Sequence, residues 1–170
     1  MNTTINSCNE FSVEPILEMD IYPICKMCVE LFSEATGNVY TEEFFAFMSD
    51  FSISRKAVLN GKIIGCYLLN DDSILSYNFS SIEDLSNYHY QEGLQGVALG
   101  ILKEYRGLSF GRKLRDSALM LPHIDYIWGF NVKILNNLEN WKRYGRRQVG
   151  ENESSYVTLM DISMKARMSA

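Results

Sequence analysis

The chain has 170 residues, 46% of them hydrophobic, and a net charge of −5. That length predicts one domain over residues 1–170, and the acidic balance excludes the global basic field that usually marks partners such as nucleic acid or an anionic membrane. No run approaches the roughly eighteen apolar residues of a membrane span, and the opening MNTTINSCNEFSVEP has neither a basic region nor the apolar core of an export signal. A soluble, cytoplasmic protein is therefore expected, with reduced thiols at Cys8, Cys25, Cys28 and Cys66.

In chain order, IYPICKMCVELFSEA after Asp20 has apolar residues at helical spacing, and TEEFFAFMSDF after Tyr40 opens with a threonine and two acids that suit a capped start. Two amino-terminal helices are predicted. RKAVLNGKIIGCYLLNDD then reads as a hairpin about Asn60-Gly61, because both positions of a tight turn accept positive φ there. The following SILSYNFSSIEDLSNYHYQEG suits either a strand with a short helix or a long surface excursion, and its tyrosines suit either a pocket lining or an interface.

LQGVALGIL is apolar without alternation, as a central strand covered on both faces would be. A Gly/Ser loop, YRGLSFGRKL, follows it directly, and GRKLRDSALML continues as a helix with Leu114, Ala118 and Leu121 on one side. IDYIWGFNV is a second buried strand. LNNLENWKRYG is a helix with Leu138, Trp141 and Tyr144 as its stripe and Gly145 as its stop, and YVTLMDISM is a closing strand. These elements predict an α/β fold built on one sheet.

The loop bears on function. A strand running into small residues and then a helix leaves the first helical N–H groups unpaired, where the macrodipole also favours an anion. Gly107, Ser109 and Gly111 let a phosphate approach the backbone, and Arg106 and Arg112 add charge. The same composition suits a plain strand-to-helix turn, and spacing alone does not separate the two. Most cations fall in this segment (Lys103, Arg106, Arg112, Lys113, Arg115) and in a second one (Lys142, Arg143, Arg146, Arg147), a pattern suited to a small anion.

LGILKEYRGLSFGRKL resembles the acetyl-CoA-binding motif of the GNAT superfamily of N-acetyltransferases: an Arg or Gln, two residues, Gly, one residue, then Gly or Ala. Arg106, Ser109 and Gly111 stand at those places, with Ser109 where the family usually has glycine. NNLENWKRYGRR resembles the family's second motif, an Asn-started helix that carries a tyrosine and is commonly followed by a short basic stretch and Gly-Phe. Here Trp141 stands at the tyrosine's usual place. The resemblance implies a GNAT-like mixed, mostly antiparallel central sheet flanked by helices. It further implies that Gly107, Leu108, Ser109, Phe110, Gly111 and Arg112 hold the pyrophosphate of acetyl-CoA, that Ile101 and Leu102 offer backbone to the pantetheine, and that Asn137 or Asn140 bonds its amides.

The implied activity is direct transfer of an acetyl group from acetyl-CoA, as co-substrate, to a primary amine of a small molecule or protein, without a metal. The leaving thiolate needs a proton. An indole is too weak an acid, so Tyr144, one turn beyond Trp141, is the candidate donor, or else a core tyrosine. The protonated amine needs a base: Glu92 through a water, with His89 and Asn131 as further candidates, or these are an ordinary surface acid, surface histidine and strand-end asparagine. Cys25 and Cys28 form a CxxC on an apolar helical face without a second pair, which favours buried thiols over zinc. The net charge favours a cationic acceptor. A homodimer is compatible with the fold by analogy, and a noncatalytic acyl-CoA-binding or protein-interaction module is the alternative function.

Overall fold

A computed structural model describes residues 10–37, 39–77, 81, 82, 85, 88, 91–135 and 138–162. Strands β1 (Phe11–Pro15), β2 (Arg55–Leu59), β3 (Lys62–Asn70), β4 (Ser81–Ile82), β5 (Gly93–Ile101), β6 (Tyr126–Val132), β7 (Arg147–Glu151) and β8 (Ser155–Asp161) form one sheet in the order β1-β2-β3-β5-β6-β8-β7-β4. Every neighbouring pair is antiparallel except β5 and β6. This is the mixed, mostly antiparallel sheet expected from the sequence.

Helices α1 (Ile21–Thr36) and α2 (Glu42–Met48) cover one face, and α3 (Phe110–Ala118) covers the other. β3 explains why its sequence is apolar throughout. Cys66 and Leu68 pack with Ile24, Cys28 and Phe45 under α1 and α2, while Tyr67 and Leu69 pack with Leu114 and Ala118 under α3. A third cluster, including Trp128, Val149, Val157 and Leu159, closes the β6-β8-β7 side. The short α4 (Leu138–Arg143) lies between β6 and β7.

The local signals behave as their chemistry predicts. The Thr41 hydroxyl accepts from Phe44 N at 3.2 Å and caps α2. Asn60 and Gly61, at φ 52° and 77°, join β2 to β3 as a two-residue turn with both positions left-handed. Cys25, Cys28 and Cys66 are buried thiols, the last two with sulfurs 3.3 Å apart, and burial, first of all, raises the Cys25 pKa to about 11.

Two strands go beyond the sequence reading. β1 is an edge strand of half-buried residues ending in proline, and β7 carries Val149 as its only large apolar residue. Their pairing with β2 and β8, rather than their own patterning, makes them strands. α3 ends at Ala118, so Leu121 lies beyond the helix predicted to contain it. The Ser73–Gly93 segment contains a 3-10 turn at Ile74–Ser76 and the two residues of β4, and His89 is outside the described residues.

The start of α1 is pinned to β2 by Lys56, whose Nζ lies 2.6 Å from Asp20 Oδ2 and 3.7 Å from Glu14 Oε2. Burial alone would raise the Asp20 pKa. The bonds from Lys56 and from Leu17 N–H outweigh it and hold the carboxyl below its ordinary value. A lowered folded-state pKa stabilises the protein above the unfolded carboxyl's pKa of about 4, and that contribution is lost as pH falls through the folded value. Asp20→Asn is therefore expected to cost about 2 kcal/mol at pH 7. Denaturant titrations should show the gap to wild type closing below about pH 4; a gap independent of pH would exclude the ion pair as its source.

Candidate functional site

The site begins where β5 and β6 part. Their parallel register runs through Gly93–Tyr126, Leu94–Ile127 and Gln95–Trp128 and then stops. On its other edge β5 stays paired with β3, with an irregularity that leaves Val97 as an extra residue between Gly96 and Ala98. Past Gln95 the two strands form a fork. Its crotch is two glycines: a Cβ on Gly129 would stand 2.8 Å from Gly96 O, and one on Gly96 would stand 3.0 Å from the Tyr67 hydroxyl.

β5 continues through a 3-10 turn, Lys103–Tyr105, into the Gly/Ser loop and α3. Gly107 takes φ 82° and Ser109 takes φ 64°, so the chain turns sharply twice before the helix. Ser109 occupies the N-cap position, but its side chain makes no capping bond, and the first turn contains no acid. The leading N–H groups of α3 thus face a concavity that neither a cap nor a carboxylate fills.

That concavity is a cavity of about 480 Å³. Gly107, Ser109, Phe110 and Gly111 form one rim, with Arg106, Arg112 and Arg115 beside it. Asn140, Trp141 and Tyr144 close it from α4 and its end. Arg106 Nε donates to Ile101 O at 3.0 Å, and Arg112 makes only an exposed 3.7 Å pair with Asp116, too weak to withhold it from a ligand. The Arg115 guanidinium lies over the Tyr144 ring, 4.2 Å from its centre.

A second cavity, about 350 Å³, occupies the fork itself. Aromatic rings of α1 and α2, among them Phe32, Phe44 and Phe45, face it from one side and Tyr77 and Phe130 from another. Leu99 and Trp141 border both cavities, so the two adjoin along β5. Polar groups converge at the crotch. Thr158 Oγ1 accepts from Asn131 Nδ2 at 2.5 Å and from Arg146 Nη1 at 3.2 Å, and donates to Gly129 O at 3.5 Å. Arg146 Nη2 donates to the Tyr67 hydroxyl at 3.1 Å. Tyr77 donates to Gln95 Oε1 at 3.5 Å, and burial above all raises the Tyr77 pKa.

The residues singled out in the sequence divide accordingly. Ile101, Arg106, Gly107, Ser109 and Phe110 meet at the loop cavity, and so do Gly111, Arg112, Asn140 and Tyr144. Asn131 sits in the fork cavity. Leu102 does not join them, because its N–H is engaged with Ile64 O at 2.9 Å. Leu108 is 59% exposed at the loop tip and borders neither cavity. Glu92 also borders neither. It precedes β5 and stands three residues before Gln95, which lines the fork cavity, roughly 10 Å along the strand at about 3.3 Å per residue. Asn137 lies outside the described residues.

Tyr67, Gln95 and Thr158 went unseen in the sequence, since each reads as an ordinary strand residue. Arg146 was hidden among surface cations but is 5% exposed. The available signal was its position after Gly145, where the second motif has phenylalanine.

No family model matches the sequence, and no curated protein matches it. Solved structures do. The loading GNATL domain of CurA from Lyngbya majuscula is 12% identical with a TM-score of 0.68, over 92% of this chain and 100% of that one. The PaiA N-acetyltransferase from Thermoplasma acidophilum, in complex with coenzyme A, is 10% identical with a TM-score of 0.66, over 89% and 99%. An acetyltransferase of the GNAT family from Staphylococcus aureus Mu50 is 13% identical with a TM-score of 0.65, over 90% and 99%. The chain has the GNAT fold.

A serine at positive φ is less comfortable than a glycine by about 1 kcal/mol. Ser109→Gly should therefore raise stability by up to about that amount, read as a higher denaturation midpoint. A loss of stability would mean that the hydroxyl holds the loop.

Proposed function

We propose that the protein is an acetyl-CoA-dependent N-acetyltransferase, acting as one domain in which donor and acceptor meet in a ternary complex. The observation that carries this reading is the pair of adjoining cavities along β5, one ending at an uncapped, cation-flanked helix start and the other inside the β5/β6 fork. The loop N–H groups from Gly107 to Arg112, together with Arg106 and Arg112, take the pyrophosphate. The backbone of β5 beyond Gln95, left unpaired on its β6 side, receives the pantetheine, with Asn140 at its flank. The thioester then reaches the wall that Leu99 and Trp141 share.

The acceptor amine enters from the fork cavity. Asn131 Nδ2 is fixed by Thr158, while its Oδ1 accepts no bond among the described residues and is left to orient the amine N–H. The nitrogen lone pair attacks the thioester carbonyl carbon, the C–S bond breaks, and the amine sheds its proton. The thiolate takes one up from Tyr144, held one turn beyond Trp141. The fork cavity is bordered by no carboxylate or imidazole among the described residues, so on this reading the amine gives its proton to water, which in turn reprotonates Tyr144, and Glu92 takes no direct part. Juxtaposition of the reactants supplies much of the acceleration.

On the same reading the protein works in the cytoplasm, needs no metal, has neither nucleic acid nor membrane as a partner, and is compatible with a homodimer. No helix among the described residues is long and apolar enough to cross a membrane. One observation favours a second reading, a noncatalytic acyl-CoA-binding module: the wall between the cavities carries an indole, Trp141, where the motif's tyrosine would supply the acid.

Calorimetric titration should show acetyl-CoA binding in the micromolar range, with dephospho-CoA and ATP as controls. A Cβ on Gly111 would meet only Ile101 Cγ1, at 3.6 Å, so Gly111→Trp should fold, fill the cavity and abolish binding. Unchanged affinity would remove the loop from the site. Once an acceptor is found, Tyr144→Phe should lower kcat about a hundredfold with cofactor affinity intact. An unaltered kcat would make Tyr144 a wall of the cavity and nothing more, and binding without turnover on any amine would favour the second reading.

A further inference from the structure

Arg146 is 5% exposed and borders the fork cavity. Among the described residues it forms no ion pair. Two of its five N–H groups are used, by the neutral hydroxyls of Thr158 and Tyr67. Its Nε is buried without a partner, and its guanidinium lies over the Trp141 ring, 4.8 Å from the centre. Trp141 Nε1 is likewise buried without a partner. Among the described residues both donors thus lack a partner, and both belong to residues that line one cavity.

Burying an unpaired cation costs several kcal/mol, and hydroxyls with an aromatic face offset only part of it. The guanidinium packs directly against the crotch, where a Cβ on Gly96 or Gly129 would meet Arg146 Nη2 or Nη1 at 3.5 Å, an ordinary contact. Among the described residues that line the cavity Arg146 alone is charged; the others are aromatic, aliphatic or neutral polar, with Asp72 beside Tyr77 but outside the lining. A desolvated planar fork with free N–H groups is the complement of a carboxylate, which it can bind through two parallel bonds. The sign is opposite to the cationic acceptor suggested by net charge, because among the described residues no acid lines the cavity and the wall is what a ligand meets.

We propose that Arg146 receives a carboxylate carried by one of the two reactants. It belongs either to an acyl group that ends in a carboxylate, as succinyl does, or to an amine acceptor that is an amino acid. The proposal rests on the transferase reading for the identity of its reactants, but the anion site stands on Arg146 itself.

The test is calorimetry in two arms. The first compares succinyl-CoA with butyryl-CoA, in which a methyl group replaces the distal carboxylate. The second compares leucine, phenylalanine and glutamine with their α-amides, with and without CoA. In one arm the carboxylate ligand should bind at least about tenfold tighter than its neutral counterpart. Arg146→Met should erase that preference while CoA affinity stays within about twofold of wild type, and Arg146→Lys should restore part of it. Thermal melting verifies that each variant is folded. Equal affinities in both arms would overturn the proposal, as would a preference that survives in folded Arg146→Met. If CoA itself fails to bind, the transferase reading falls, and the amino-acid arm without CoA decides the anion site alone.

Discussion

Two strands that run parallel for three residue pairs and then separate shape the candidate site of this protein. A sheet interior normally satisfies its backbone by pairing, so a gap between central strands must be filled by side chains or by a ligand. Here the crotch is filled by side chains, through Thr158, Asn131, Arg146 and Tyr67, and the rest of the gap is left as a cavity. The loop after β5 gains its meaning from the same gap. A glycine-bearing turn at the end of a fully paired strand would be a turn only, whereas this one stands at the mouth of a channel that adjoins the middle of the sheet.

The arginines serve by position. Arg106 and Arg112 stay in water at the rim, where charge attracts an anion at small desolvation cost and where each contributes little to folding. Arg146 is dry. The same guanidinium there costs stability when unpaired and discriminates sharply when paired, since a low-dielectric setting magnifies both terms. Trp141 gives it an aromatic face from the helix that also closes the loop cavity, so the wall between the cavities and the seat of the buried charge are one piece.

Much of this was legible in the sequence where local chemistry and tertiary context agree. Thr41 as a cap, Asn60-Gly61 as a turn, the non-alternating apolar residues of β5, and the small residues of the loop each follow from a residue type in its position. β1 and β7 were not legible, because their strand character comes from neighbours distant in the chain. Leu102 was given a backbone contact because it flanks the motif, yet its N–H is spent on Ile64, whereas Leu108 has its side chain exposed at the loop tip and can offer a ligand only its backbone. Glu92 borders neither cavity: it lies three residues before Gln95, where the fork cavity begins. Arg146 is the most instructive, since a cation within a run of cations gives no sign of burial, and only its place after Gly145 distinguishes it.

β1-β2-β3-β5 and β6-β8-β7-β4 are each laced by antiparallel ladders, but among the described residues three residue pairs carry the strand pairing between these halves. Side chains supply the rest of the lateral cohesion. Ile127 of β6 and Met160 of β8 share one buried cluster with Ala57, Ile64 and Tyr67 of β2 and β3, and Arg146 reaches the Tyr67 hydroxyl across the opening. The core beneath the seam, more than the ladder across it, therefore makes the two halves unfold as one unit.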